Sequence, residues 1–242
     1  MAATVQLFIT CLVDSFFPHI GEAMLHVLNR AGVQVEFPNA QTCCGQPAFN
    51  AGLRAEARPL AMHTIEVFEK TSGDIIIPSG SCAAMVRQGY PELFQDDPAW
   101  LMRAEALAQR TYEFSEYLVD VRAVTDLSAC WKGKIAYHPA CHLLCSLGVD
   151  RQPRALLAAV REAEIVELPE REDCCGFGGV FSVEHPELSA EFLKRKLANF
   201  ERTDAPTLVV ADTGCLMHLQ GGLKRQGKSQ RVVHLAEVLN SR

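Results

Sequence analysis

The sequence lacks the features that mark membrane, secreted and nucleic-acid-binding proteins. No stretch of about 18 consecutive apolar residues occurs, and the N-terminus has no basic segment followed by a sustained apolar run, so we expect neither a membrane span nor a signal peptide. The net charge is -6, and Lys and Arg form no cluster beyond the triplet 194–196, which we interpret as a solvated helix face. Nucleic acid is therefore not expected as a partner. These absences predict a cytoplasmic protein.

The motifs of several common enzyme classes are also missing. We find no Ser-His-Asp arrangement on a nucleophile turn, no phosphate-binding Walker loop and no motif of paired carboxylates, so a hydrolase is not expected. The segment Gly176–Gly179, GFGG, resembles only half of a dinucleotide fingerprint because the third glycine is absent at the required spacing. The sequence thus predicts no nicotinamide or flavin site of its own.

What the sequence does have is cysteine. Ten cysteines occur among 242 residues, of which 48% are hydrophobic, so the chain is long enough to bury a core without disulfide bonds. In a reducing compartment, this many thiols indicates metal binding or redox chemistry. Two cysteines are adjacent in TCCGQP, residues 42–47, and two more are adjacent in DCCGFGG, residues 173–179. Adjacent thiols that occur twice call for a shared explanation.

Eight of the cysteines form two sets with the same order. Each set has one cysteine, then an adjacent pair followed by glycine, and then a fourth cysteine. The second set follows the first at a nearly constant separation of 130 to 133 residues, which indicates an internal duplication. We therefore predict two lobes, residues 1–125 and 126–242. The first cysteine set is Cys11, Cys43, Cys44 and Cys82, and the second cysteine set is Cys141, Cys174, Cys175 and Cys215.

Short apolar runs precede the cysteines in both halves of the chain. Strands are predicted over residues 5–10, 33–37 and 74–78 in the first half, and over 134–138, 164–168 and 207–212 in the second. Because helical segments alternate with these strands, the pattern predicts an α/β fold. We expect two similar Rossmann-like lobes with mainly parallel sheets, each gathering its cysteines at the carboxyl edge of its sheet.

Helical periodicity fills the segments between the strands. Helices are predicted over residues 51–70 and 187–202, and one or two more over 98–122. Their apolar residues are expected in the core, among them Leu53, Met102 and Leu188. The turns SGSC and DTGC, which end at Cys82 and Cys215, also look like helix starts, where the positive end of the helix dipole favours a thiolate.

Adjacent cysteines suit a multi-iron cluster better than a single zinc ion. Zinc takes four ligands at tetrahedral angles, usually from pairs of cysteines with two residues between them. Two adjacent cysteines bind one zinc ion poorly. An iron-sulfur cluster spreads its thiolates over several irons, so Cys43 and Cys44 can each bind a different iron. Gly45 and Gly176, which follow the pairs, allow backbone conformations that bring the chain close to such a cluster. Zinc or another structural metal, and metal-free thiol chemistry, stay open as alternatives.

The double pattern resembles that of the cysteine-rich CCG-domain iron-sulfur oxidoreductases. This family includes the B subunit of heterodisulfide reductase and the iron-sulfur subunit of glycolate oxidase. The segments CCGQPAFNAG, PSGSCAAMV and CCGFGGVFSV are similar to its lactate utilization branch, and the match covers essentially the whole chain. The heterodisulfide reductase pattern ends each set in Cys-x-x-Cys, whereas this chain has Met85 and His218 at the last position. The resemblance therefore implies a four-cysteine 4Fe-4S cluster, one or two per chain.

The resemblance also implies a function, that of an iron-sulfur electron-transfer subunit in a cytoplasmic system that oxidises a small 2-hydroxy acid, L-lactate, to pyruvate. The implied partners are a ferredoxin-type iron-sulfur subunit and a third lactate-utilization subunit. The alternatives are a heterodisulfide-reductase-like thiol/disulfide reductase, a glycolate oxidase iron-sulfur subunit, or, from a different class, a zinc-binding assembly module. The eight cysteines are the implied metal ligands, with Gly45, Gly176 and His218 beside the cofactor. Met85 is expected in the core, and Cys145 is either a spare ligand or a buried helix residue.

Overall fold

The computed structural model describes residues 3–242, which form two open sheets, each with four parallel strands. The first sheet has the strand order β2-β1-β3-β4. The second sheet has the order β6-β5-β7-β8, so both sheets repeat one topology. The strands are β1 (Ala3–Leu7), β2 (Val33–Glu36), β3 (Asp74–Ile77), β4 (Thr111–Glu113), β5 (Cys130–His138), β6 (Arg161–Val166), β7 (Thr207–Val210) and β8 (Arg231–His234).

The repeated order confirms the predicted α/β fold of two similar lobes. All six predicted strands are present, with bounds that differ by a few residues. Two further strands, β4 and β8, were not predicted. The strand β4 lies inside segment 98–122, which was predicted to be entirely helical, and it interrupts that segment after Gln109. The division of the chain near residue 125 stays a prediction; residue 125 lies between β4 and β5.

Helices cover both faces of the sheets, as the parallel strand pairing requires. The first lobe contains α1 (Cys11–Phe16), α2 (Pro18–Arg30), α3 (Gln46–Asn50), α4 (Arg54–Phe68), α5 (Gly80–Ala84), α6 (Tyr90–Leu93), α7 (Pro98–Gln109) and α8 (Phe114–Glu116). The second lobe contains α9 (Arg151–Ala158), α10 (Phe181–Glu184), α11 (Pro186–Glu201), α12 (Thr213–Arg225) and α13 (Leu235–Asn240). Both turns expected as helix starts are confirmed, since Cys82 lies in α5 and Cys215 in α12.

The central strands are buried on both faces. In β3 the run Ile75–Ile77 is at most 1% exposed, and all four residues of β7 are buried. Such continuous apolar runs of β-branched residues are typical of parallel strands covered by helices on both sides. Three helix residues expected in the core are instead exposed: Leu53, Met102 and Leu188. These three assignments were wrong because Leu53 precedes α4, which begins at Arg54, and because Met102 and Leu188 lie on the exposed faces of α7 and α11.

The two lobes pack against each other through a continuous core. One hydrophobic cluster contains Val5 and Val27 of the first lobe together with Ile135 and Val209 of the second. The guanidinium of Arg30, at the end of α2, donates to the carbonyl oxygen of Leu239 in α13 at 2.5 Å. This packing fixes the carboxyl edges of the two sheets relative to each other. Among residues 3–242, no helix has both the length and the apolar character needed to cross a membrane.

Candidate metal centre

A cavity of about 290 Å³ lies between the lobes, at the ends of the strands. All eight cysteines of the duplicated pattern line this one cavity, so the fold brings together residues that are up to 204 positions apart in the sequence. The convergence follows from the topology, because the carboxyl ends of parallel strands meet at one edge of a sheet. The cysteines in the cavity wall are Cys11, Cys43, Cys44, Cys82, Cys141, Cys174, Cys175 and Cys215.

The first cysteine set is assembled from three segments of the first lobe. The Sγ atoms of Cys11 and Cys43 lie 3.7 Å apart, and those of Cys44 and Cys82 lie 3.4 Å apart. The fully buried hydroxyl of Tyr90 donates to the carbonyl oxygen of Cys44 at 2.9 Å, which holds the turn that carries the adjacent pair. The set is thus supported from behind by core residues and open to the cavity in front.

The second cysteine set has a matching arrangement. The Sγ atoms of Cys175 and Cys215 lie 3.0 Å apart. The equivalent pair in the first lobe, Cys44 and Cys82, is slightly further apart, at 3.4 Å. Cys141 follows the end of β5, in the position that Cys11 has after β1. All ten cysteines of the chain are free thiols. The sulfur atoms are therefore available as ligands.

A glycine in the left-handed conformation follows each adjacent pair. The φ angles of Gly45 and Gly176 are +84° and +91°, a region that favours glycine. Their backbone N–H groups point at the sulfur atoms of Cys43 and Cys174, with N–Sγ distances of 3.5 and 3.3 Å. A Cβ atom on Gly176 would lie only 2.5 Å from the carbonyl oxygen of Ser189. Both glycines are therefore required by backbone conformation and by close packing.

One sulfur atom in each set carries the negative charge most readily. A hydrogen bond from the thiol of Cys11 lowers the pKa of Cys43 to about 2, and a hydrogen bond from Cys141 lowers the pKa of Cys174 to about 2. The same hydrogen bonds raise the pKa values of the two donors. Each set therefore contains an anionic sulfur, and the thiolate is the form that binds metals.

A buried carboxylate joins the two lobes beside the cavity. Oδ1 of Asp212 accepts hydrogen bonds from the backbone N–H groups of Gly214 and Cys215, at 3.0 and 3.3 Å. Oδ2 accepts from the hydroxyl of Ser79 at 2.8 Å and from the N–H of Ser81 at 2.9 Å. Asp212 thus caps α12 and at the same time holds the start of α5 in the other lobe. This contact was not predicted, because it depends on how the lobes pack together.

One buried histidine next to the second cysteine set lacks hydrogen-bond partners. His138, at the end of β5, is 1% exposed, and neither ring nitrogen has a hydrogen-bond partner within the described chain. Burial lowers its pKa to about 3, so the ring is neutral. One ring nitrogen lies within 4.8 Å of the sulfur atoms of both Cys175 and Cys215. Because a buried polar group without a partner is costly, this ring indicates a site for a further group.

The other predicted site residues lie outside the cavity. His218 is half-buried behind Phe177, with ring centroids 5.9 Å apart, and its Nε2 lies 3.3 Å from the hydroxyl of Ser189. Among residues 3–242, His218 is not one of those that line the cavity. Met85 is 2% exposed, which confirms its expected place in the core. Cys145 is exposed, so its assignment as a buried residue was wrong.

The interpretation of the basic triplet 194–196 as a solvated face was wrong for its last residue. Lys194 and Arg195 are exposed, but Lys196 is 0% exposed. Helical spacing could have revealed this, because Lys196 follows the buried Leu193 by three residues and precedes the buried Phe200 by four. The residue faces the interior between α11 and the turn of the second cysteine set.

The donor sets suit a metal ion or a metal cluster. Within the described chain, one group of three potential ligands has all donor atoms within 4.8 Å of one another, namely His138, Cys175 and Cys215. Neither set of four cysteines is that compact as a whole, although a single tetrahedral ion needs four donors around one centre. Free sulfur atoms with glycine amides directed at two of them are a donor set that can hold a metal or a metal cluster.

Two cysteine-bearing α/β lobes around one cavity define a duplicated cysteine-rich protein, and comparison with known sequences agrees. A family model described as "Cysteine-rich domain" (CCG) matches the chain twice, over residues 5–87 and 135–220. A lactate utilization protein A from Oceanobacillus iheyensis is 46% identical over 98% of this chain and 96% of that protein. One from Bacillus pumilus is also 46% identical, over 98% of this chain and 99% of its own length. The chain belongs to the cysteine-rich domain family that includes lactate utilization protein A.

Proposed function

We propose that the protein is the iron-sulfur electron-transfer subunit of a system that oxidises L-lactate to pyruvate. The observation that carries this proposal is the cavity into which two sets of four free cysteines open together. The two sets would hold 4Fe-4S clusters, one in each lobe, with Gly45 and Gly176 giving the backbone close access. A bound cluster accepts and donates single electrons, which is the chemistry that the cysteine sets would supply.

The lining of the cavity favours electron relay over direct oxidation of the substrate. A 2-hydroxy acid carries a carboxylate, which proteins usually bind with the paired N–H groups of arginine or with lysine. Among residues 3–242, none of those that line the cavity is Arg or Lys, and the charged groups there, Asp212 and the sulfur atoms of Cys43 and Cys174, are negative. Their negative charge disfavours a carboxylate ligand. Oxidation of the hydroxy acid would therefore take place on another subunit.

The proposed partners follow from this division of work. The relatives are named lactate utilization protein A, and the letter in this name supports the existence of other proteins that act in the same process. We propose a ferredoxin-type iron-sulfur subunit and a third subunit that together bring the lactate site. Since all ten cysteines are free thiols, a reducing compartment, the cytoplasm, is consistent with the chemistry. Within the chain, residues 1–125 and 126–242 would each carry one cluster.

Metal and sulfide analysis after anaerobic purification tests the cofactor. We expect iron and acid-labile sulfide in equal amounts, at up to about eight of each per chain for two 4Fe-4S clusters, and a paramagnetic signal that develops on reduction. Purification in air from the same cells is the control, because exposed clusters are lost under oxygen. Zinc bound without sulfide and without a reducible signal in the anaerobic sample would replace this proposal with that of a structural metal module.

Growth tests the substrate. Deleting the gene should abolish growth on L-lactate as the carbon source and leave growth on pyruvate unchanged, since pyruvate is the product of the proposed reaction. A gene copy with Cys43 and Cys174 both changed to Ser should fail to restore growth, whereas the unchanged gene should restore it. Normal growth of the deletion strain on L-lactate, in a host without a second lactate dehydrogenase, would contradict the assignment of lactate.

A further inference from the structure

The adjacent cysteine pairs of the two lobes rest on equivalent helices. A Cβ atom on Gly45 would lie 3.2 Å from Cβ of Leu60 in α4, and one on Gly176 would lie 2.9 Å from Cβ of Phe192 in α11. Leu60 and Phe192 are therefore equivalent positions. One helical turn further on, the first lobe has Thr64 and the second lobe has the fully buried Lys196.

Lys196 is a buried lysine whose hydrogen-bond acceptors within the described chain are neutral carbonyl groups, and burial lowers its pKa. Its Nζ donates to the carbonyl oxygens of Glu170 and Arg171, at 2.9 and 3.1 Å, in the segment that leads to the second cysteine set. In the described part of the chain, no carboxylate forms an ion pair with it. The negative groups whose charge acts on Lys196 are Asp173 and the sulfur atoms of Cys174, Cys175 and Cys215. A buried charge requires compensation, and the sulfur set is placed to supply it.

The equivalent position in the first lobe is neutral. The hydroxyl of Thr64 donates to the carbonyl oxygen of Leu60 at 3.0 Å, within its own helix. No lysine or arginine is among the groups that shift the pKa values of Cys11, Cys43 or Cys44. Among residues 3–242, the first cysteine set therefore has no counterpart of the buried Lys196 amine.

A second difference between the lobes also places a polar group beside the second cysteine set only. Val5 of β1 and Ile135 of β5 are equivalent positions, because each pairs with the first residue of the neighbouring strand, β3 or β7. Three residues further along the chain, the first lobe has Phe8 and the second lobe has His138. Phe8 is buried against an aromatic ring, whereas His138 has an unpartnered ring nitrogen near two sulfur atoms of the second set. An imidazole N–H can donate to a cluster sulfur or thiolate, and a phenyl ring cannot.

We propose that Lys196 and His138 give the second cysteine set the higher reduction potential, so that electrons pass through this chain from the first lobe to the second. This inference rests on the proposed function, because it requires that both sets bind iron-sulfur clusters. In the step, one electron leaves the reduced first site and enters the oxidised second site, so the charge on the chain does not change. The two-electron oxidation of the hydroxy acid on a partner subunit would supply such electrons one at a time.

The physical reason is the added negative charge of the reduced state. Four thiolates already make each site anionic, and reduction adds one more electron in a low-dielectric interior, where a buried cation stabilises it strongly. Hydrogen bonds to the sulfur atoms act in the same sense. Asp212 works against reduction of the second set, because its charge raises the pKa values of Cys141 and Cys215. Its Oδ atoms accept four hydrogen bonds, from Ser79, Ser81, Gly214 and Cys215, which disperse that charge, and the inference requires that Lys196 and His138 outweigh what is left.

Redox titration of full-length, anaerobically purified protein tests the direction. Cys43→Ser leaves only the second set complete, and Cys174→Ser leaves only the first. We expect the midpoint potential followed by paramagnetic resonance to be more positive in the Cys43→Ser protein. Equal potentials, or a more positive value in the Cys174→Ser protein, would overturn the inference. If neither protein binds iron and sulfide, both the inference and the proposed function are wrong. The iron content therefore distinguishes this outcome from a failure of the inference alone.

Substitutions at the two residues sharpen the test. In the Cys43→Ser background, Lys196→Met should shift the midpoint potential in the negative direction, and His138→Phe should do so by a smaller amount. Lys196→Arg keeps the charge, and Lys194→Met changes an exposed lysine of the same helix, so neither should shift the potential. A potential that does not respond to Lys196→Met in a protein with an unchanged circular dichroism spectrum would exclude Lys196 as the cause. If Lys196→Met does not fold, the comparison of the two serine variants still decides the direction.

Discussion

In the first lobe Phe8 follows β1 and is buried against Phe68, with ring centroids 5.1 Å apart, whereas the second lobe has His138 in this place without a hydrogen-bond partner. Thr64 in one lobe likewise stands where Lys196 stands in the other. The sulfur atoms, the left-handed glycines and the strand order are the same on both sides. The two lobes thus share their cysteines and differ in the groups behind them, and such differences would give two bound metal centres different reduction potentials.

The strongest test of the comparison removes one sulfur from each lobe in turn. We expect Cys43→Ser and Cys174→Ser each to reduce the iron content to about half, and the double variant to about none, because each set of four thiolates would hold its own cluster. Iron and sulfide assays on anaerobically purified protein measure this.

Cys145→Ser is the matched control for these variants, since Cys145 is exposed and lies outside the cavity wall. Its iron content should equal that of the unchanged protein. If a single change in one lobe removes all the iron, the eight cysteines form one joint site, and the lobes cannot be compared as independent centres.

The second test uses two capping residues that occupy equivalent positions at the ends of β4 and β8. Glu113 caps α8 and His234 caps α13, each with a glutamate three residues further on. Burial raises the pKa of Glu113 from 4.5 to about 7 and lowers the pKa of His234 from 6.5 to about 4. Both groups are thereby favoured in their neutral forms, but one is an acid and the other a base.

Their effects on stability therefore depend on pH in opposite directions. Protonated Glu113 stabilises the fold below about pH 4.5, and this contribution is lost as the pH rises through 7. Neutral His234 stabilises the fold above about pH 6.5, and this contribution is lost as the pH falls through 4. Each shift corresponds to about 3 kcal/mol. Glu113→Gln should remove the decline between pH 5 and 7, and His234→Gln should remove the decline between pH 6.5 and 4.

Anaerobic urea unfolding at pH 4.5, 6 and 8 measures both effects. The matched control is Glu116→Gln, which changes the other glutamate of the same cap, one that is only partly buried. If Glu113→Gln leaves the free energy of unfolding at pH 8 no higher than in the unchanged protein, Glu113 is ionised in the fold at no cost, and the proposed contrast between the caps is wrong.

The parts of the molecule that could be predicted are those that depend on local pattern. The six predicted strands are short, mostly apolar runs that precede the cysteines, and the nearly constant separation of the two sets indicated the duplication. From parallel strands alone, it followed that the cysteines would meet at one edge. The strand β4 was missed because it has only three residues, Thr111–Glu113, and so short a strand does not interrupt the helical pattern around it.

The parts that could not be predicted depend on contacts between the lobes or on single exceptions to the pattern. Asp212 holds both lobes through Ser79 and Ser81, and no local signal indicates that contact. Lys196 lies in a basic triplet that is typical of a solvated surface, although its helical position faces inward. His138 lies three residues before Cys141 in the sequence, but its lack of hydrogen-bond partners within the described chain and its approach to Cys175 and Cys215 require the folded structure.

The smallest expected effect concerns the two glycines that follow the cysteine pairs. Gly176→Ala should lower the free energy of unfolding by about 2 kcal/mol, because an alanine in this conformation is strained and its Cβ would collide with the backbone oxygen of Ser189. Gly45→Ala should cost about 1 kcal/mol, since its Cβ would meet a side chain, that of Leu60, at 3.2 Å. Gly221→Ala, in the open part of α12, is the control and should be neutral or slightly stabilising. Equal losses at Gly45 and Gly176, measured by urea unfolding of the metal-free chains, would show that backbone strain alone sets the cost. The tighter packing of α11 on its cysteine turn would then have no consequence for stability.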